Sequence, residues 1–359
     1  MKISIIAGAR PNFMKIAPII EAIEKASLNG KNISYRLVHT GQHYDEKMSK
    51  SFFEELNIPK PHVNLECGGG TQAQQTASIM QKFEEDLVNN PADIVLVVGD
   101  VTSTMACAIV AQKLKTKVAH VEAGIRSGDW EMPEEINRLV TDSITNYFFT
   151  TSDTASQNLQ NSGIDTKNIF FVGNTMIDTL LKNTSRFTKP TIYDEIGLKE
   201  KEYIVLTMHR PSNVDNKENF LELLSEIVKN SNGLPIIFPV HPRTKKNLEN
   251  IVFPQFHFVD PMNYLSFNYL VSNAKVVITD SGGITEETTV MGVPCITLRS
   301  TTERPETCTI GTNELIGTGP DLIKPTLQKL FSNSWKKGQI PPLWDGHAAE
   351  RIVNILTSL

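Results

Sequence analysis

The chain has 359 residues, of which 40% are hydrophobic and 21% charged; 35 Lys plus Arg stand against 40 Asp plus Glu, a net charge of −5. That length suits roughly two domains of ordinary size, and the balance excludes a stapled miniprotein, a coiled coil or extensive disorder. Slight acidity without a Lys/Arg stripe argues against a dedicated nucleic-acid or anionic-membrane binder.

In chain order, short β-branched runs alternate with helix-length segments. Strands are expected at residues 3–6, 35–38, 93–98 and 118–121, with helices at 11–26, 45–56, 102–114 and 134–145. Strand followed by helix, repeated over this length, predicts a parallel sheet covered on both faces. The charged stretch 185–202, with Pro190 inside it, breaks the alternation and marks a boundary. A second set follows, with strands at 204–206, 236–238, 276–278 and 295–298 and helices at 219–229, 264–272 and 285–291. The expected organisation is one Rossmann-like domain over 1–185, joined by a C-terminal helix within 345–359, and a second over 186–344. Two such domains facing a central cleft would bind a ligand at the carboxyl ends of their strands.

The first strand runs into Gly8-Ala9-Arg10-Pro11, with Lys15 one turn later. A glycine turn opening a helix offers free N–H groups and partial positive charge, so with Arg10 and Lys15 it reads as an anion site or as a solvated helix start. It lacks the Gly-x-Gly-x-x-Gly spacing of dinucleotide binders. Acidic residues follow the next strands: Asp100 after Val98-Gly99, Glu122 after Val121, and Glu134 in the string Pro133-Glu134-Glu135-Ile136-Asn137-Arg138. A spacing of four puts Glu134 and Arg138 on one helical face, where the guanidinium is expected to orient that carboxylate. Positioned carboxylates suit proton transfer, although each alone reads as readily as a cap or surface pair.

In the second half, Thr207-Met208-His209-Arg210 and Val240-His241-Pro242-Arg243 each end a strand with His and Arg, suited to pyrophosphate oxygens. No third partner stands at metal-ligand spacing, so no metal is expected. Thr279-Asp280-Ser281-Gly282-Gly283 forms another glycine turn before a helix carrying Glu286 and Glu287. Small residues there let a ligand approach the backbone, and a carboxylate one turn later can accept from both ribose hydroxyls or merely complement the helix dipole. Cys67, Cys107, Cys295 and Cys308 are far apart and form no Cys-x-x-Cys pair, which predicts neither a disulfide framework nor structural zinc. No run approaches a membrane span and the start lacks a signal-peptide core, so a cytoplasmic, membrane-independent protein is expected.

Together these strings resemble the non-hydrolysing UDP-N-acetylglucosamine 2-epimerases. The resemblance runs through Gly8 to Pro11, Thr40-Gly41-Gln42-His43, His120 to Arg126, Pro133 to Arg138, Val172 to Thr175, Thr207 to Arg210, Ser281 to Glu287 and Thr301-Thr302-Glu303-Arg304-Pro305-Glu306, nearly the whole chain. It implies a GT-B-like α/β fold, a homodimer, no redox cofactor, and interconversion of UDP-N-acetylglucosamine with UDP-N-acetylmannosamine through a 2-acetamidoglucal. By position it implies Asp100, Glu122, Glu134 and His209 as catalytic groups. Arg10, Lys15, Arg138, His241, Phe267, Ser281, Gly282, Gly283, Glu287 and Arg304 are implied as substrate contacts, Phe267 beside uracil and Glu287 at the ribose. After Gln42-His43 the sequence continues Tyr44-Asp45 and departs from the usual bacterial effector-site run, so Gln42, His43 and Gln72 carry little weight as effector contacts. That string resembles relatives acting on UDP-2,3-diacetamido sugar acids. A hydrolysing epimerase or a GT-B glycosyltransferase would use the same kind of nucleotide cleft.

Overall fold

The structure, a computed structural model, describes residues 1–42, 53–240, 244, 248 and 253–359. The chain divides into two compact units, one of Met1–Lys182 with Pro342–Leu359 and one of Asn183–Pro341. Most of the helix expected at 45–56 lies outside the described residues, as do His43 and His241.

The first unit is built on seven parallel strands: β1 (Lys2–Ala7), β2 (Ser34–His39), β3 (Val63–Asn64), β4 (Ile94–Val98), β5 (Lys117–Val121), β6 (Tyr147–Thr150) and β7 (Ile169–Phe171). Their order is β3-β2-β1-β4-β5-β6-β7, so the chain reverses direction across the sheet between β1 and β4. Helices of nine or more residues are α1 (Arg10–Leu28), α2 (Gln72–Asn89), α3 (Thr102–Lys113), α4 (Pro133–Ser143), α5 (Asp153–Asn161) and α6 (Thr175–Asn183). Helix α2 is absent from the sequence expectations, although Ile79, Phe83 and Leu87 recur every four residues and bury one face against Val95, Val97 and Ala106. Its polar remainder, QAQQT at the start and EED near the end, hides that stripe.

The second unit repeats the plan with β8 (Ile204–Thr207), β9 (Ile236–Pro239), β10 (Phe256–Val259), β11 (Val276–Thr279), β12 (Cys295–Thr297) and β13 (Asn313–Leu315), in the order β10-β9-β8-β11-β12-β13, all parallel. Its longer helices are α7 (Lys217–Asn230), α8 (Tyr264–Asn273), α9 (Gly282–Met291) and α10 (Ile323–Phe331). Alternation along the strands divides the core. Ile204, Leu206, Val276 and Ile278 pack with Phe220, Leu224 and Leu327 on one face, while Val205 and Val277 pack with Tyr203, Leu270 and Val271 on the other. Burying each such side chain contributes on the order of 1.5–3 kcal/mol, which outweighs the weak intrinsic preferences of four-residue strands.

The last helix, α11 (Ala348–Leu356), belongs to the first unit and packs on α1. Its first N–H groups, on Ala348 and Ala349, donate to Asp178 of α6 at 3.1 and 2.7 Å. The buried Trp344 Nε1 donates to the Thr151 carbonyl at 2.9 Å. Burial pushes the Asp178 carboxyl up to about 6, against the pull of those two N–H donors.

Candidate active site

In the first unit, the strands flanking the chain reversal deliver charged groups to their carboxyl ends, where open α/β sheets bind ligands. Helix α1 starts immediately after β1, and Asn12 ties its opening turn together. Asn12 Oδ1 accepts from the Gly8 and Ala9 N–H groups at 3.0 and 2.9 Å, and its Nδ2 donates to the Val98 carbonyl at 3.0 Å. One turn on, Lys15 Nζ meets Glu122 Oε2 at 2.5 Å, with side chains 11% and 2% exposed. Glu122 follows β5 with φ +71°, a left-handed conformation that costs a non-glycine residue roughly 1–2 kcal/mol. The cost is offset locally, because the N–H groups of Glu122 and Ala123 both donate to the Phe149 carbonyl, at 3.0 and 3.1 Å. Gly99 lies against the pair: at φ +68°, an added Cβ would sit 3.2 Å from Lys15 Nζ and 3.5 Å from Glu122 Oε2.

Beneath this pair, His120 is fully buried between Asp142 Oδ1 and the Gly99 carbonyl, each 2.8 Å from a ring nitrogen. Asp142 also accepts from Arg126 Nη1 at 2.6 Å and the Gly124 N–H at 3.1 Å. Burial alone would raise the Asp142 carboxyl, but His120 and Arg126 outweigh it and hold the group below its ordinary value. The network pins both turns that carry Gly99 and Glu122.

Arg138 does not pair as its spacing from Glu134 predicts. Its Nη2 and Nε donate to Asp100 Oδ2 at 2.7 and 3.1 Å, and its Nη1 donates to Glu135 Oε2 at 2.5 Å. The register of α4 explains the correction: Glu135 and Arg138, three apart, face inward, and Glu135 is further held by the N–H groups of Ser127 and Gly128 at 3.0 and 3.1 Å. Burial opposes the Glu135 charge, yet these donors and Arg138 keep the carboxyl below its usual range. Glu134 is half-buried at the first turn and pairs with none of the described residues. Arg10 is exposed at the start of α1.

In the second unit, Asp280 organises the loop after β8. This fully buried carboxylate accepts from the His209 and Arg210 N–H groups, both at 2.9 Å, and from Asn213 Nδ2 at 3.1 Å, and it lies 3.0 Å from His209 Nδ1. Burial is outweighed by His209 and the backbone donors, so Asp280 stays below its ordinary value. The His209 ring is 49% exposed and therefore held at one end and open at the other. Ser281 stands at the N-cap position of α9 without a side-chain capping bond, and the N-terminal Gly282 and Gly283 present N–H groups on residues that carry no side chain. Further along α9, Glu286 pairs with Arg304, while Glu287 Oε1 accepts from Tyr264 at 2.8 Å. Burial pushes Glu287 up to about 7; the Tyr264 hydrogen bond pulls it down and the neighbouring Glu286 charge raises it again. Phe267, on the same helix as Tyr264, packs part-buried against the core around Leu270 and Val277.

Each unit thus brings its own sequence-expected residues to one sheet edge, Lys15, Asp100, Glu122 and Arg138 in the first and His209, Ser281 and Gly282 in the second. The expected site residues do not include Glu135, Asp142 and Asp280, the buried carboxylates that fix Arg138, His120 and the His209 loop. Asp280 had a signal, since an acidic residue directly after a buried strand and before a glycine turn sits where polar groups gather. Among the described residues no group of three or more His, Cys, Asp and Glu side chains could hold a metal ion, and no helix is long and apolar enough to cross a membrane.

Two Rossmann-ordered parallel sheets in one chain, each with polar loops at its carboxyl edge, define a GT-B-like protein. The sequence model of the UDP-N-acetylglucosamine 2-epimerase family matches residues 25–357. The UDP-N-acetylglucosamine 2-epimerase of Methanocaldococcus jannaschii is 42% identical over 373 residues, covering 99% of both chains. Its crystal structure in complex with UDP-GlcNAc and UDP matches over 100% of both chains with a TM-score of 0.88. The UDP-2,3-diacetamido-2,3-dideoxy-D-glucuronate 2-epimerase of Pseudomonas aeruginosa is 37% identical, covering 100% of both chains. The chain belongs to the UDP-N-acetylglucosamine 2-epimerase family, a family of isomerases.

Proposed function

We propose that this protein interconverts UDP-N-acetylglucosamine and UDP-N-acetylmannosamine without hydrolysing either. The observation that carries the reading is the buried Lys15–Glu122 pair, held beside Gly99 and Asp100 at the carboxyl edge of the first sheet. A carboxylate takes the sugar C2 proton; the C–H electrons form the C1=C2 bond, and the C1–O pair leaves with UDP. Re-addition of UDP to the resulting 2-acetamidoglucal, with C2 protonated on its other face, gives the epimer. Asp100, Glu122 and Glu134 are the candidates for the proton work, and a carboxylate in such a buried, charge-paired setting is the type of group that serves it.

Leaving diphosphate needs cations and N–H donors. We assign Ser281, Gly282 and Gly283 to it, with His209, Arg10, Lys15 and Arg304 as further contacts, Glu287 to the ribose and Phe267 to the uracil. His241 keeps its assignment from the sequence alone. Action as a homodimer, in the cytoplasm, supplying an activated sugar for polysaccharide synthesis, is part of the same proposal.

Proton NMR with UDP-N-acetylglucosamine in D2O tests it. A UDP-linked manno product deuterated at C2 is expected. Free N-acetylmannosamine with UDP would assign the hydrolysing reaction instead, and no exchange at C2 would remove the epimerase reading of this substrate. The likeness to the Pseudomonas enzyme favours one second reading, a UDP-2,3-diacetamido sugar acid as substrate. Offering both sugars in the same assay separates the two by rate.

Two further results follow from the geometry. Glu134→Gln should lower turnover while leaving the melting temperature unchanged, because that side chain has no pairing to lose among the described residues; undiminished turnover would strike it from the acid/base set. Uridine, which has no titrating phosphate, should bind more weakly as pH falls through the Glu287 value of about 7. Ribose hydroxyls require the ionised carboxylate as acceptor, so protons compete with the ligand and affinity drops about tenfold from pH 8 to pH 6. Glu287→Gln should remove that dependence, and an identical pH profile in the variant would show that another group titrates.

A further inference from the structure

Arg299 stands two residues beyond the end of β12. Its guanidinium is 5% exposed, with Nη2 2.6 Å from Glu303 Oε2. The other terminal nitrogen, Nη1, is buried and has no hydrogen-bond partner among the described residues. It lies at the opening of α9: a Cβ added to Gly282 would be 3.6 Å from Nη1 and 3.2 Å from Glu303 Oε1. That ten-residue helix has no side-chain cap at Ser281 and no acidic residue in its first turn. Its first N–H groups carry partial positive charge and lack intrahelical acceptors.

A buried charged N–H left without an acceptor is unfavourable unless something returns the hydrogen bond it lost from water. Here two independent donor sets, the α9 terminus and Arg299 Nη1, converge at the turn where Gly282 carries no side chain, beside Glu303 Oε1. Glu303 holds the guanidinium by one edge and leaves the other directed at the turn, the geometry in which Arg recognises phosphate oxygens.

Building on the nucleotide reading above, we propose that Arg299 is a diphosphate-binding residue, donating from Nη1 to a UDP phosphate oxygen at the Ser281–Gly283 turn. Glu303 is its positioning partner. Arg299 therefore adds to the preference for a nucleoside diphosphate over the bare nucleoside.

Calorimetric titration of the full chain with UDP and with uridine tests this. In Arg299→Gln, UDP affinity should fall about 10- to 100-fold, the range for a lost charge-assisted hydrogen bond, while uridine affinity stays within about twofold. Uridine binding also reports that the nucleoside site remains folded. Arg299→Lys, which can keep the Glu303 ion pair but not the second directed nitrogen, should lose the same preference and serves if the Gln variant does not fold. Glu303→Gln keeps an amide oxygen for the guanidinium edge, so UDP affinity should fall less than in Arg299→Gln with uridine affinity unchanged; an equal loss of UDP and uridine affinity there would mean that the pair is merely structural. An unchanged ratio of UDP to uridine affinity in both Arg299 variants would overturn the assignment alone. Failure of the unsubstituted protein to bind UDP and uridine would overturn the nucleotide reading on which it rests.

Discussion

Glu122→Gln is expected to lower the rate of C2 proton exchange by at least ~100-fold, the scale of a lost general acid or base. The argument rests on position. Glu122 is 2% exposed, bonded to Lys15 at 2.5 Å, and fixed by a left-handed backbone that the Phe149 carbonyl secures. Gln keeps the volume and an oxygen for Lys15 but cannot take a proton. It also strips a buried ammonium of its counter-charge, so the variant should melt earlier than the unsubstituted protein. Rates should accordingly be read well below the melting transition, by the loss of the C2 proton signal in D2O. Near-normal exchange in a folded Glu122→Gln protein would shift the proton work to Asp100 or Glu134.

Arg138→Met should produce the largest loss of stability. The guanidinium is 2% exposed and joins Asp100 to Glu135, itself only 3% exposed. Removing it leaves a carboxylate in the interior without its cation, a change that typically costs about 3–5 kcal/mol. For a unit of this size that corresponds to a melting point lower by about 6–20 °C. Adding Glu135→Leu to Arg138→Met should restore part of the loss, because no buried charge then remains while the Ser127 and Gly128 N–H groups still lose their acceptor. Thermal unfolding by circular dichroism measures both; a double variant no more stable than the single would place the cost in packing rather than charge. Turnover should stay low even in the stabilised double variant, since Asp100 has lost the group that orients it.

Strands with dense apolar, β-branched runs were legible without coordinates. The expected segments at 3–6, 93–98, 204–206 and 276–278 fall within or closely match β1, β4, β8 and β11, the four strands that flank the two chain reversals. Fully buried parallel strands must be apolar on both faces, so composition alone marks them. Strands β3, β6, β7, β10 and β13 lie outside the expected segments: none has a β-branched apolar run, since all but β7 include a polar residue and β7 is mostly aromatic. Helix α2 escaped because three apolar residues in a long polar segment give a weak pattern.

The sequence by itself determined the fold class, the acidic and basic residues that follow each strand, and the family, since alternation, turn glycines and ordered motifs are all local or linear properties. Tertiary structure decided which charge meets which. Lys15 reaches Glu122 across 107 residues, Arg138 reaches Asp100 across 38, and the His209 N–H reaches Asp280 across 71. Spacing along a chain specifies neighbours only within a helix or strand, and there it pointed Arg138 at Glu134 rather than Glu135. Parallel strands joined by crossover helices bring distant strand ends to one edge, and burial then leaves each carboxylate stable only beside the cation or N–H groups that the assembled sheet supplies.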